Sequence, residues 1–198
     1  MTYIIIAGII VVLAAAWSVI SWLNIRGIEQ PKYKVLKKIN GLEIRHYGEH
    51  IIAETEAKGQ YREAATACFT TLGGYIFGGN KKHSKISMTA PVIMEEKDRG
   101  SHSMSFVMPA KYTLETLPAP DASNIKFRKL PARKVAVISF RWWLTPARTE
   151  KKKALLLKKI KDAGLTRRDP KSPPLLAGYD PPWNAPWMMH SEVMAEVE

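Results

Sequence analysis

Cysteine, acidic side chains and catalytic motifs are scarce in this chain of 198 residues. Cys68 is the only cysteine, which excludes an internal disulfide and a metal cluster built on cysteines. Its place in a helical pattern next to Phe69 is typical of a small buried thiol. The sequence has no Ser-His-Asp spacing and no phosphate-cradling glycine loop, so it proposes no catalytic residue and predicts a protein that is not an enzyme.

Charge is also absent from the stretch between Tyr3 and Leu23. As a helix this stretch would be about 31 Å long, close to the hydrocarbon thickness of a bilayer. Tyr3, Trp17 and Trp22 lie towards its ends, where aromatic rings favour the membrane interface. A cleaved signal peptide is the alternative, but no Lys or Arg precedes the run, which is longer than a usual signal. We therefore predict an anchor over residues 1–24 that contacts the bilayer through residues 3–23.

Basic residues follow the apolar run and number 30, against 18 acidic residues in the whole chain. Arg26, Lys32 and Lys34 come directly after the anchor, so the positive-inside rule predicts a single-pass cell-membrane protein with its domain in the cytoplasm. The positive charge suits an anionic membrane surface or an acidic ligand. No nucleic-acid-binding motif accompanies the charge, so nucleic-acid binding is not predicted. Protein partners cannot be read from the sequence.

The rest of the chain predicts a tether over residues 25–34 and one domain over residues 35–198. Alternation of apolar and polar residues indicates strands, and spacings of three and four residues indicate helices. The first half predicts strands at 42–47 and 50–57, paired as a hairpin around Gly48, then a helix at 61–77 and strands at 86–94 and 103–109. The second half predicts paired strands at 125–130 and 134–140, a helix at 147–163, and paired strands at 175–179 and 192–197.

The two halves follow the same plan, with a loop-like linker at 117–124 between them. We therefore predict an α+β fold, in which two strand-strand-helix-strand-strand halves form a distorted antiparallel β-barrel flanked by two helices. One N-terminal transmembrane helix precedes this barrel.

Four segments carry a resemblance to a known family. They are Leu42-Glu-Ile-Arg-His-Tyr-Gly48, Lys85-Ile-Ser-Met-Thr-Ala-Pro-Val92, Phe106-Val-Met-Pro109 and Ala177-Gly-Tyr-Asp-Pro-Pro-Trp183, the last followed by Ser191-Glu-Val193. In this order and spacing the set resembles the SOUL family of haem-binding proteins, over about residues 33–198. The chain departs from the family at Ser191, where the family usually has Asn, and in its anchor.

The resemblance implies a barrel of two similar halves that binds haem or another tetrapyrrole non-covalently, with no established catalytic step and no cofactor needed for folding. Some members are thought to use a histidine of the Glu-Ile-Arg-His-Tyr strand as axial ligand, and here that residue is His46. Imidazole is the commonest protein ligand of haem iron. Leu42, Ile44 and His46 share one face of the strand, so we expect His46 at the edge of the core. A hydrogen-bonded strand histidine without iron is the alternative.

A porphyrin also needs an apolar surface and partners for its two carboxylates. Arg45 and Lys85 are candidate partners, with Lys81 and Lys82 as further ones, because cations make charge-assisted hydrogen bonds to carboxylates. Met88 and Trp143 are candidate apolar contacts. Adjacent strand residues point to opposite faces, so one ring of Trp142-Trp143 should face outward, towards a ligand or a membrane.

The leading hypothesis is a membrane-tethered haem-binding protein acting in haem binding, buffering or delivery. A second hypothesis is a non-haem module for another amphipathic anion or a membrane protein partner, with His46 pointing away from the groove. A third is a tetrapyrrole-modifying enzyme, which would need a titratable residue inside the groove.

Overall fold

The computed structural model describes residues 2–97 and 100–198. The elements are α1 (Thr2–Ile25), β1 (Tyr33–Ile39), β2 (Leu42–Tyr47), β3 (His50–Lys58), α2 (Tyr61–Ile76), β4 (Val92–Lys97), β5 (Ser101–Val107), β6 (Lys126–Leu130), β7 (Arg133–Arg141), α3 (Pro146–Asp162), β8 (Leu175–Gly178) and β9 (His190–Val197). The predicted α+β class is confirmed, as a curled antiparallel sheet with two helices packed on it and an apolar helix before it.

The N-terminal helix α1 is long and apolar enough to cross a membrane. A signal sequence would meet the same criteria of length and composition. Its side chains are exposed to the surroundings along almost the whole length, and the buried exception is Ser21. The helix therefore presents an apolar surface that the rest of the described chain does not cover.

Nine strands form one antiparallel sheet in the order β1-β2-β7-β9-β8-β4-β5-β3-β6. The first strand of each half pairs with the second strand of the other half, β2 with β7 and β6 with β3. The two halves have thus exchanged their first strands. This exchange overturns two predicted hairpins, 42–47 with 50–57 and 125–130 with 134–140, whose strands are not neighbours in the sheet. The short connections Gly48-Glu49 and Pro131-Ala132 carry the chain between the halves.

A strand that the sequence analysis did not predict, β1, occupies one edge of β2, and its first two residues fall within the predicted tether of 25–34. β1 and β2 form a hairpin through Asn40 and Gly41, both with positive φ, 46° and 77°. Two positive φ angles define a type I′ turn, and Asn-Gly is its commonest sequence. Residues 86–91, predicted as strand, lie outside β4 because Pro91 cannot donate to a ladder and Ala90 N–H bonds instead to the Glu29 carbonyl at 2.9 Å.

The sheet has an outer face that carries α2 and α3, and an inner face. Leu72 of α2 and Leu156 of α3 are fully buried against outer-face side chains such as Ile44, Phe106 and Val193. On the inner face a second apolar cluster joins Tyr47 of β2 with Ile93 of β4, although three strands lie between them in the sheet order. The sheet therefore curls around its inner face, and both faces become buried.

Candidate ligand groove on the inner face

A buried ion pair lies at the centre of the inner face. Arg45 of β2 is 4% exposed and Glu192 of β9 is 0% exposed. The guanidinium donates two hydrogen bonds to the carboxylate, Nη1 to Oε2 at 3.0 Å and Nη2 to Oε1 at 2.9 Å. Glu192 also accepts from Ser139 Oγ at 2.9 Å and from Tyr179 Oη at 2.8 Å. The pair is bidentate and its lone pairs are occupied, which is the arrangement that a buried charge requires.

Neighbouring groups complete this cluster. His190 Nε2 lies 3.1 Å from Glu192 Oε1, and its ring stacks on Tyr179 with centroids 4.4 Å apart. Burial by itself raises the pKa of Glu192, but hydrogen bonds from His190, Arg45 and Tyr179 outweigh it and hold the pKa at about 2. Burial raises the pKa of Tyr179, and the Glu192 charge raises it further. Both groups therefore stay in one protonation state near neutral pH.

A groove of about 560 Å³ lies beside this cluster on the inner face. Its floor is apolar and includes Ile52, Ile93, Leu175 and Met194. Three carboxylates line it, from Glu95, Asp169 and Glu196. Five cationic side chains also line it, and they are Lys97, Arg128, Arg133, Arg167 and Arg168. β6 and β7 both contribute, so the groove exists because the curl of the sheet brings its distant strands together. Its volume falls in the range of small-molecule sites.

Three of the five cations have carboxylate partners. Arg128 pairs with Glu54 at 2.8 Å, Lys97 with Glu95, and Arg168 with Glu196. Within residues 2–97 and 100–198, no carboxylate lies within ion-pair distance of Arg133 or Arg167. The surplus positive charge of the groove therefore resides on these two guanidinium groups.

Each of these two guanidinium groups has N–H donors that are not fully used by hydrogen bonds to other described residues. Arg167 bonds to the carbonyls of Pro170 and Ser172, while its buried Nε has no partner among the described residues. Arg133 makes contacts of 3.5 Å with the Pro131 carbonyl and with His50 Nε2, the outer limit for a hydrogen bond. Burial lowers the pKa of Arg133, and Glu196 offsets part of that effect. An acidic ligand would relieve this unfavourable burial of positive charge.

His46 does not line this groove but lies in a neighbouring cavity. A smaller cavity of about 300 Å³ contains His46 and shares Arg133, Arg168 and Glu196 with the groove. The imidazole is exposed, so the expected position at the edge of the core is wrong. His46 lies on the outer face as predicted, but its register neighbours are the exposed Lys34 and Lys134, beyond the part of β2 that the helices cover.

The other predicted binding residues are dispersed. Arg45 does not face a free ligand surface, because its donors are used by Glu192, Glu43 and Tyr47. Lys85 and Met88 are exposed on the loop after α2 and line none of the four cavities found among the described residues.

Trp143 is exposed and follows the C-terminal end of β7, whereas His46 pairs with Lys134 near the start of that strand. Seven residues of strand, roughly 23 Å, already separate Lys134 from Arg141. That distance is more than the width of a porphyrin, so one macrocycle cannot contact both His46 and Trp143.

A larger cavity of about 710 Å³ lies between the tether and the domain. Its charged lining mixes Glu29, Glu49 and Glu115 with Lys32 and Lys129. Because carboxylates are as prominent there as cations, this cavity suits an acidic ligand less well than the groove does.

The sequence analysis missed the arginines at 128, 133, 167 and 168 and the carboxylate at 192. Arg128 lies in the predicted strand 125–130 and Arg133 just before the predicted strand 134–140, but the exchange of first strands that shapes the groove could not be read from the sequence. The basic run Arg167-Arg168 is visible in the sequence, but it lies outside every predicted helix and strand. Among the described residues, no group of three or more His, Cys, Asp and Glu side chains could hold a metal ion.

Comparison with known proteins gives the family. The model of the SOUL heme-binding protein family matches residues 28–196, so the chain belongs to that family. No curated protein matches the chain.

Solved structures support the fold. The C-terminal domain of EcmrR is similar with a TM-score of 0.58 and 13% identity, covering 84% of this chain and 98% of that one. A hydrolase from Listeria innocua has a TM-score of 0.55 and 14% identity, covering 82% and 94%. At such low identity these likenesses establish the fold alone.

Proposed function

We propose that this chain is a membrane-anchored haem-binding protein, without a catalytic step of its own, that binds, buffers or delivers haem or a related tetrapyrrole. Family membership carries the proposal, because the matching residues 28–196 make up nearly all of the domain after α1. The apolar helix α1 supports the tether, and the basic residues that follow it favour a cytoplasmic domain.

The inner groove is the site that the geometry favours for the macrocycle. Its apolar floor suits the porphyrin plane, and Arg133 and Arg167 suit the two propionates because charge-assisted hydrogen bonds to carboxylates are strong. His46, in the adjoining cavity, is the candidate axial ligand. Haem would supply the redox and gas-binding chemistry of its iron, while the protein's residues bind, orient and partly shield it. Lys85, Met88 and Trp143 stay predictions outside this groove.

A ferric haem titration of the full chain in detergent micelles, followed in the Soret band, tests the function. We expect saturable one-to-one binding, and a shifted Soret maximum for His46→Ala. His83→Asn is the control, because His83 is exposed on a distant loop with a φ of 49° that Asn tolerates.

The outcomes separate the function from the ligand assignment. Unchanged spectra for His46→Ala with binding retained would remove His46 as ligand and keep the groove. A complete lack of saturable binding by the unmodified chain would refute the haem assignment.

A further inference from the structure

Six tryptophan side chains are exposed at one end of the domain, beside the C-terminal part of α1. Two belong to α1 itself, Trp17 and Trp22, and the others belong to two loops. One loop, 142–145, carries Trp142 and Trp143 together with Leu144. The other loop, 180–189, carries Trp183 and Trp187. Trp183 is 68% exposed. We call the two loops, with their aromatic side chains, the aromatic end.

The two loops are held together as one surface. Arg141 pairs in register with His190 across β7 and β9, and its Nη1 donates to the Met188 carbonyl at 3.4 Å. Arg148 Nη1 donates to the carbonyls of Arg141 and Trp143 at 3.3 and 3.5 Å. The aromatic end is therefore a fixed part of the domain.

A polar stripe on α1 attaches the helix to this surface. Ser18, Ser21 and Asn24 recur every three residues, so they share one side of a helix that is otherwise apolar. Trp187 Nε1 donates to Ser18 Oγ at 3.1 Å, and the Ala185 N–H donates to Ser21 Oγ at 2.8 Å.

Two further contacts extend this attachment over the last two turns of α1. Asn24 Nδ2 donates to Asn184 Oδ1 at 3.1 Å, and the Trp17 and Trp187 rings meet edge to face at 5.4 Å. Loop 180–189 thus lies along residues 17–24 of the helix.

The length of α1 then determines how deep loop 180–189 lies relative to the bilayer. If the helix left the bilayer before meeting loop 180–189, only residues 3–16 would remain in lipid, about 21 Å at 1.5 Å per residue. A hydrocarbon core of about 30 Å needs about 17 to 25 helical residues. The loop therefore has to lie beside the helix at the level where the helix leaves the hydrocarbon.

From this geometry we infer that the aromatic end docks on the bilayer, with Trp183 and Trp143 in the interface between headgroups and acyl chains. Tryptophan favours that depth because its ring is amphipathic. Arg26 and Arg148 lie next to the exposed rings, Arg26 over Trp22 at 4.8 Å, and cations at this level are attracted to an anionic membrane surface. The inference rests on the proposed membrane anchor and fixes the orientation of the domain on the membrane.

Spin labels on the full chain in bilayers of phosphatidylcholine and phosphatidylglycerol test this orientation. Labels are placed one at a time through Trp183→Cys, Trp143→Cys, Ile10→Cys and Lys171→Cys, and Cys68 is left in place because it is 1% exposed. Collision rates with oxygen and with a water-soluble nickel complex give the depth of each label. The label at position 10, in α1, shows whether the anchor lies in the hydrocarbon. The label at position 171, exposed beyond the opposite end of β9, is the reference for a position in water.

We expect oxygen collisions to exceed nickel collisions at positions 10, 183 and 143, least strongly at the two loop positions, and the reverse at 171. Labels at 183 and 143 that behave like the label at 171, while position 10 lies in the hydrocarbon, would overturn the docking and keep the anchor. A label at position 10 in water would refute the anchor itself. Protection of 183 from both reagents would indicate a protein contact and would also overturn lipid docking.

Discussion

Arg45 Nη2 lies 2.9 Å from Glu192 Oε1 at the centre of the inner face, and both side chains are almost completely buried. The pair joins β2 of the first half to β9 of the second, across β7. The ion pair therefore links β2, which has crossed from the first half, to β9 of the second half.

Truncation of one partner of this pair should destabilise the protein strongly. We expect Glu192→Ala to lower the free energy of unfolding by about 3 kcal/mol, because it removes the fully buried carboxylate partner of Arg45 and leaves the guanidinium only the partly exposed Glu43. Glu49→Ala is the matched control, since Glu49 pairs with Lys129 in an exposed position and should cost less than about 1 kcal/mol. Urea unfolding of the full chain in micelles, followed by far-UV circular dichroism, measures both. Equal losses for the two variants would contradict the structural role of the pair.

The stability should fall as the pH falls below about 4.5. The pKa of Glu192 is about 2 in the folded protein, against an ordinary value of 4.5. A lowered folded-state pKa contributes stability that is complete above the unfolded pKa and is lost as pH falls through the folded pKa. The shift corresponds to roughly 3 kcal/mol, to be lost between about pH 4.5 and pH 2.

The change Tyr179→Phe isolates the contribution of Glu192 from that of other carboxylates. It removes the 2.8 Å hydrogen bond from Tyr179 to Glu192 and should move the loss of stability to higher pH. The unfolding free energy of both proteins from pH 2.5 to pH 7 tests this. Parallel profiles that differ by a constant would show that Glu192 does not titrate as described.

Haem affinity should depend on the guanidinium of Arg133. We expect Arg133→Gln to weaken ferric haem binding by about tenfold or more, because a hydrogen bond to a charged group contributes about 1.5–3 kcal/mol. Arg62→Gln is the control, since Arg62 is exposed on α2, on the outer face. The Soret titration is repeated with the dimethyl ester of haem, which lacks free carboxylates. The difference between Arg133→Gln and the unmodified chain should largely vanish with the ester, and its persistence would argue against propionate binding at Arg133.

The domain should lie on the cytoplasmic side of the membrane. Protease added to inverted membrane vesicles should then degrade it, while right-side-out vesicles protect it, because the basic residues from Arg26 onward follow the apolar run. The mass of the protected N-terminal fragment also shows whether α1 is retained. Degradation in right-side-out vesicles alone would reverse the topology, and a released domain without α1 would indicate a cleaved signal.

Local patterns in the sequence located most elements of the fold. The helix predicted at 61–77 is Tyr61–Ile76, and the helix predicted at 147–163 is Pro146–Asp162. Helical periodicity and the glycines after each helix are local signals, which need no knowledge of the rest of the chain. The final strand pair, β8 with β9, was also predicted correctly.

The pairing of the strands was predicted less well from the sequence. Two predicted hairpins assumed that strands separated by a short connection pair with each other, which holds for most antiparallel neighbours. Here the first strand of each half crosses to the other half, and β1 takes the remaining edge of β2. The Asn40-Gly41 turn was a local signal for β1 that the sequence analysis overlooked.

The sequence by itself determined the apolar N-terminal helix, the α+β class, the family and the alternation that puts Arg45 and His46 on opposite faces of β2. Only the tertiary structure decided which of those faces could hold a ligand. Alternation distinguishes two faces of a strand but does not tell how far a sheet curls, and this sheet curls enough to bury Arg45 against Glu192. The groove arginines form two pairs that are each local in the chain, Arg128 with Arg133 and Arg167 with Arg168. The meeting of the two pairs depends on long-range strand pairing that no local pattern encodes.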